Sequence, residues 1–268
     1  MKTIYFTFPG GLFKALTLSY DDGNTADRRL VSILDKHALK CSFHLNGGLF
    51  GRDGRIGAGE VAGLYSRHEV SCHSLTHPSL ARCPREQIVR QILDDRKALE
   101  DLVGYPVRGM SFPNGSYNSE ILGMLPSIGI EYARVVPTTG TFYMPDNFLE
   151  WRGSCHHNDQ LMSKAREFLD LKNSQHLFLM YVWGHSYEFD RDGNWSLVED
   201  FAETISGRPD IWYATNIEIV DYMNRCKGLR FSSDVSMVYN PAAGAVWLSV
   251  GGTVVEVPGG RTIGLPVE

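Results

Sequence analysis

Residues 14–23, KALTLSYDDG, decide the fold. Lys14 to Tyr20 is a short run of apolar and β-prone side chains, which reads as a strand. Asp21-Asp22-Gly23 then turns the chain out of it. A helical stretch follows at once, with Leu30, Ile33, Leu34 and His37 spaced to share one face.

Working outward, the same strand–loop–helix unit recurs. CSFHL (41–45) is a second strand, followed by a glycine-rich loop and a short helix over about 60–67. A third strand covers 69–72. The clearest helix is 85–103, with Pro84 at its start, Glu86 near its N-terminus, Ile88, Ile92, Leu99 and Leu102 on one side, and Gly104 then Pro106 to stop it. A strand near 109–112 precedes FPNGSYN and a helix over about 118–125. Another strand lies near 130–135 and a helix over about 159–171. LFLMYVW (177–183) is a continuous apolar run, the pattern of a strand buried on both faces. Helices over about 195–206 and 216–226 flank a strand at 211–214. Strands alternating with helices form a parallel sheet with the helices outside, and about seven units favour closure into a barrel. After Gly228 short β segments alternate with Asn-Pro, Gly-Gly and Pro-Gly-Gly turns. We therefore expect a barrel over 1–228 and a small β-meander annex over 229–268 packed on it, since forty residues are too few for a sizeable core of their own.

The 268 residues carry 26 basic and 31 acidic side chains, a net charge of −5, with 43% hydrophobic and 21% charged residues. That composition excludes a disordered or fibrous chain. No basic block is present, so a nucleic-acid footprint is not expected. The longest apolar run, Leu177–Trp183, is far short of the roughly 20 residues of a membrane helix. The N-terminal MKTIYFTFPGG lacks a signal peptide's apolar region, and the five cysteines form no CxxC pair. Reduced thiols and a cytoplasmic setting are the expectation. The oligomeric state is not legible.

In a parallel α/β architecture reactive groups gather where strands end. Three polar clusters fall there: Asp21-Asp22-Gly23, His73-Ser74-Leu75-Thr76-His77 and Trp183-Gly184-His185. Two imidazoles and one carboxylate make a zinc-type ligand set that leaves room for water. Adjacent aspartates at a strand end point in different directions, so one can bind metal while the other stays free as a base. A histidine from a distant strand can protonate the departing group. Other polar residues read as structural: His44 as a satisfied strand-end histidine, Asp94-Asp95 as the solvated face of a helix, Cys72 as core. The run Cys155-His156-His157 offers metal-binding atoms, but neighbouring residues rarely chelate one ion without a sharp bend, and no partner motif is evident.

TLSYDDG, HSLTH, FPNGSYN and LMYVWGHSYEFD, in that order over residues 14–225, resemble the polysaccharide deacetylases of the NodB-homology type (carbohydrate esterase family 4). The resemblance implies a deformed (β/α) barrel, usually of seven units, and metal-dependent removal of acetyl groups from a sugar or polysaccharide. Carried onto this chain it makes Asp21 the general base, and Asp22, His73 and His77 the ligands of a divalent metal, Zn2+ by choice. It makes His185 the general acid and the Asn114 backbone N–H an oxyanion donor. Glu150 would orient His185 and Trp151 would wall the groove; Trp183, beside the acid, reads as a substrate-side aromatic stacking on a sugar ring or, equally, as core. The family's third motif carries an arginine that braces the base; here Ser111 stands at that place, and Arg108 or Arg152 is expected to substitute. Gly184 replaces the usual leucine before the acid histidine and would reshape the acetyl pocket. An amidase acting on a non-sugar C–N bond and a catalytically silent carbohydrate-binding protein remain alternatives.

Overall fold

The computed structural model describes residues 2–172 and 174–266. Its strands are β1 (Ile4–Thr7), β2 (Lys14–Asp21), β3 (Ser42–Leu45), β4 (Glu69–Cys72), β5 (Gly109–Ser111), β6 (Tyr132–Val135), β7 (Trp151–Arg152), β8 (Cys155–His156), β9 (Phe178–Gly184) and β10 (Ile211–Tyr213). Five short strands follow: β11 (Arg230–Phe231), β12 (Met237–Tyr239), β13 (Val246–Val250), β14 (Thr253–Val257) and β15 (Thr262–Gly264). The helices are α1 (Asp27–Lys36), α2 (Val61–Leu64), α3 (Arg85–Val103), α4 (Ser119–Met124), α5 (Leu161–Leu169), α6 (Tyr187–Arg191), α7 (Trp195–Ile205) and α8 (Asn216–Lys227).

The main sheet runs β7-β6-β5-β4-β3-β2-β9-β8, and its ladders are parallel. Its two ends are one piece of chain. Trp151 and Arg152 pair with Arg134 and Val135 of β6, while Cys155 and His156 pair with Val182 and Trp183 of β9. Gly153-Ser154 lies between them, and the Ser154 N–H already bonds to the Tyr181 carbonyl at 2.7 Å. The strand that closes the ring thus changes partner midway, and the ring has the expected seven staves. β10 adds to β2 beside Lys14–Leu16 only. All eight residues of β2 and all seven of β9 are buried, as the unbroken apolar run of β9 requires, while β2 also buries Lys14, Thr17, Ser19 and Asp21.

α8 plugs the end of the barrel opposite the strand C-termini. Its Thr215 cap is a capping box with Glu218. The N–H of Ile217 bonds to buried Glu69 Oε2 at 3.0 Å, and Asn216 reaches Thr17 and Tyr181 inside the ring. The annex lies under this plug: Tyr222 Oη of α8 donates to the Thr7 carbonyl at 2.7 Å and accepts from the Trp247 N–H at 3.0 Å. Phe8, Tyr222, Val238, Val246 and Leu248 share one buried cluster with the inward-facing Leu179, Tyr181 and Trp183 of the barrel. The annex therefore packs against the barrel through this cluster, and its first strand comes from ahead of β2 rather than from after residue 228. β1 pairs antiparallel with β13, which pairs with β14, so residues 4–7 belong to the annex.

Among the described residues no helix is long and apolar enough to cross a membrane, and all five cysteines are free.

Candidate functional site

Asp21 is the last residue of β2, His73 the first after β4, and Ser111 the last of β5, so successive parallel strands deliver polar side chains to one mouth of the ring. The loops there are held in costly backbone shapes. Seven non-glycine described residues have positive φ, and four of them, Asp22 (84°), Ser74 (62°), His77 (63°) and Asn114 (55°), stand in these three loops. Such conformations persist only where the surroundings enforce them, and they cluster at functional sites. The enforcing contacts are visible. Asn46 Nδ2 donates to the carbonyls of His73 and Ser74 at 2.6 and 2.8 Å, and the His77 N–H bonds to Ser74 Oγ at 3.1 Å.

Asp95, expected on a solvated helix face, is instead fully buried. It accepts the N–H groups of Gly47 (2.6 Å) and His73 (3.0 Å), tying α3 to both loops. Burial pushes its carboxyl up to about 8, against the pull of those two N–H donors.

The expected ligand trio converges. His77 Nε2 lies 3.7 Å and His73 Nε2 3.9 Å from Asp22 Oδ1, and the three donor atoms lie within 4.8 Å of one another. Asp22 Oδ1 is buried and accepts no hydrogen bond. His73 Nδ1 faces the Ser111 carbonyl at 3.0 Å and Ser111 Oγ at 2.6 Å, which leaves Nε2 for the shared space. A buried carboxylate oxygen without a hydrogen bond, facing two imidazoles of which one is fixed from behind, fits a divalent cation of the zinc type. Burial also holds His73 neutral, with its pKa drawn down to about 4 despite Asp21 and Asp22 nearby. Arg55, from the glycine-rich loop, approaches the same aspartate: its Nη1 donates to the Asp22 carbonyl and lies 3.2 Å from Oδ1.

Asp21 stands beside the trio, with Oδ2 3.8 Å from His73 Nε2. The bracing arginine is neither of those expected. Arg108 is engaged with Asp221 (2.7 Å) and Glu131 (3.0 Å), and Arg152 is half exposed beside Glu150 at 3.5 Å. Arg134 of β6 takes the role. It donates to Asp21 Oδ2 and lays its guanidinium 4.3 Å over the Trp183 ring. Ser111 Oγ donates to Asp21 Oδ1 at 3.1 Å, and His44 Nδ1 lies 3.4 Å from the same oxygen. Burial alone would raise the Asp21 carboxyl, but Arg134, His73 and His44 outweigh it and hold the group well below the usual carboxylate range. His44 is indeed a satisfied strand-end histidine, held by Ser19 Oγ at 3.0 Å.

His185 follows β9 at the same mouth. Glu150 does not orient it: that carboxylate accepts from Tyr117 Oη at 2.8 Å and lines a surface cleft with Thr139, Tyr143 and Arg152. Glu188, three residues on, orients it instead. Its Oε2 accepts the His185 N–H at 3.1 Å and lies 3.4 Å from Nδ1. Burial works to lower the His185 pKa, yet Glu188, with Asp21 and Asp22 adding their charge, raises it above the ordinary imidazole value. Trp151 walls no groove either. It is 1% exposed, packed edge-on against Tyr132, Phe148 and Tyr181. Gly184 opens no pocket, because the His157 ring fills the place a side chain would take. Asn114 sits in the left-handed turn of FPNG, its side chain directed to Ser79 Oγ at 3.3 Å.

Sequence reasoning missed Arg134, Glu188 and Arg55. A charged residue inside the otherwise apolar strand YARV was a usable signal for the first. His185 and Glu188 at i, i+3 was one for the second.

Residues 10–133 match the family model described as polysaccharide deacetylase, a stretch that contains Asp21, Asp22, His73, His77 and the FPNG turn but not His185. The peptidoglycan-N-acetylglucosamine deacetylase PgdA of Listeria monocytogenes is 28% identical over 110 residues, 40% of this chain and 23% of that protein. A chitooligosaccharide deacetylase of Rhizobium leguminosarum bv. phaseoli is 28% identical over 105 residues, 38% of this chain and 44% of its own length. The match thus spans less than half the length of these curated relatives. Among solved structures, the Xyl-CE4 domain of a multidomain xylanase from the hindgut metagenome of Trinervitermes trinervoides superposes with a TM-score of 0.55. It does so at 15% identity, over 79% of this chain and 92% of its own, which bears out the deformed barrel. The resemblance read from the motifs is likewise borne out.

Proposed function

We propose, from the polysaccharide deacetylase match over residues 10–133, that the chain is a metal-dependent hydrolase removing acetyl groups from a carbohydrate. The observation that carries this reading is the meeting, at one barrel mouth, of the convergent Asp22–His73–His77 trio with Asp21, held well below the usual carboxylate range, and His185, raised above the ordinary imidazole value.

Asp22, His73 and His77 would hold the ion. When bound, a zinc-type cation supplies acidification of water and polarisation of the acetyl carbonyl. The protein's own residues do the rest. Asp21, kept ionised by Arg134, takes the proton of the attacking water, and Ser111 and His44 fix its orientation. The Asn114 backbone N–H is assigned to the oxyanion that develops on the acetyl group, a role a main-chain donor fills whatever the side chain. His185, whose protonated form Glu188 favours, gives its proton to the leaving nitrogen or oxygen. That gift matters most for an amide, because an amine anion is a far poorer leaving group than an alkoxide.

The test joins metal content to acetate release from N- and O-acetylated oligosaccharides. Asp22→Ala is expected to lose the metal. Asp21→Asn is expected to keep it and to lower turnover by about 10²–10⁴-fold, the usual span of acid–base catalysis. Full activity in both variants overturns the reading. Bound metal with no acetate released from any acetylated sugar by the unaltered protein would replace it with one of the two alternatives.

A further inference from the structure

We propose a second divalent-cation site, formed by His156, His157 and Glu188 and separate from the Asp22–His73–His77 trio. Glu188 Oε2 lies 3.0 Å from His156 Nε2 and 3.3 Å from His157 Nε2, and all three donors fall within 4.8 Å of one another. The spacing to the carboxylate is tighter than the 3.7 and 3.9 Å of the first trio.

The independent sign of a missing ligand is His157. Its ring is fully buried, 4.3 Å from the Phe189 ring and 5.6 Å from Tyr20, yet neither nitrogen has a hydrogen-bond partner. Leaving such a group unsatisfied is costly, and native interiors rarely do so without a bound species to explain it. Burial, reinforced by His156, draws its pKa down to about 3, so the imidazole stays neutral with a lone pair to offer. His156 and His185 outweigh the burial of Glu188 and hold that carboxylate ionised. Two imidazoles and one carboxylate are ligands that suit zinc.

Adjacent histidines need a sharp bend to chelate together, and the chain supplies one. The His157 N–H still bonds to the Trp183 carbonyl at 2.9 Å, while Asp159 turns back to the His156 carbonyl at 2.8 Å. Gly184 makes the room, since a Cβ there would stand 2.0 Å from His157 Nδ1. Binding has a cost. His156 Nδ1 accepts the Asn158 N–H at 3.2 Å, a contact that must be given up when Nε2 takes a cation and the ring proton moves to Nδ1. The second site is therefore weaker, by roughly two- to tenfold, than one whose ligands are already freed from behind.

Zinc binding to the full chain, stripped with a chelator and dialysed against zinc chloride, tests this by direct metal counting, with cobalt(II) absorption as a second readout. Two ions per chain are expected at saturation, in a tight and a weak class. His156→Ala, at a partly exposed position, removes the weak class and keeps the tight one, as does Glu188→Gln. Asp22→Asn removes the tight class and keeps the weak one. Saturation at one ion that Asp22→Asn abolishes overturns the second site. Two ions retained in both folded His156→Ala and Glu188→Gln, checked by circular dichroism, overturn it equally. One ion lost only in His156→Ala and Glu188→Gln would uphold this site and sink the first instead.

Discussion

Arg134 and Asp21 start on strands three staves apart and meet inside the ring as an ion pair whose side chains are 1% and 3% exposed. Removing one member of a buried pair leaves an uncompensated charge, at a cost of about 3–5 kcal/mol. Arg134→Met should therefore lower the unfolding free energy by that order in urea titration. Asp21→Asn in the same chain should restore much of it. A coupling energy near zero in the double-mutant cycle would show that the pair is not what fixes the base.

Glu188 gives the pH dependence of turnover a definite sign. His185 is raised above its ordinary value, so its acid form persists to higher pH, and activity that needs this proton falls as pH rises through the raised pKa. Glu188→Gln removes the supporting charge, so the alkaline limb of the kcat profile should move to lower pH. A limb that stays put, measured with an N-acetylated oligosaccharide, assigns it to another group.

Ser111 holds His73 from behind through both its hydroxyl and its carbonyl. Loss of a partner behind a metal-binding histidine commonly costs 10–100-fold in affinity. Because the carbonyl survives, Ser111→Ala should fall near the lower end, about tenfold. Competition with a chelator of known affinity measures it.

Much of this was legible in the sequence because a parallel barrel has a strict grammar. An unbroken apolar run such as 178–184 must be a doubly buried strand, and a polar residue just after it must face the mouth. Asp22, His73 and His77 were therefore locatable although fifty residues separate the first from the second. Arg134 was not, because its partner is three strands away and nothing local marks which buried cation meets which carboxylate. The seam at 151–156 was invisible for a related reason: two residues on each side of Gly153-Ser154 are too few to show a strand period. Glu150-Trp151 misled because a dipeptide matched a motif whose surroundings the chain does not reproduce.

Gly184→Ala should be poorly tolerated. The added Cβ would stand 2.0 Å from His157 Nδ1, and the ring is boxed in by Tyr20 and Phe189. Overpacking of this kind costs about 1–3 kcal/mol. His157→Ala in the same chain should return most of the loss in thermal melts, and failure of that rescue would place the strain elsewhere.

The seven staves are not equally secured. β2 and β9 run alongside each other for seven paired residues, whereas the stave at 151–156 grips each neighbour with two. Local opening is easier where few backbone bonds must break, so the stave at 151–156 is a clasp of the ring, beside the one-pair seam between β4 and β5. Amide protons of 151–156 should exchange ahead of those in β2. When the clasp gives, the residues laid bare are Trp151 and His156, one beside the barrel's aromatic filling and the other within reach of Glu188. Breathing of the cylinder and the chemistry at its rim are thereby mechanically linked.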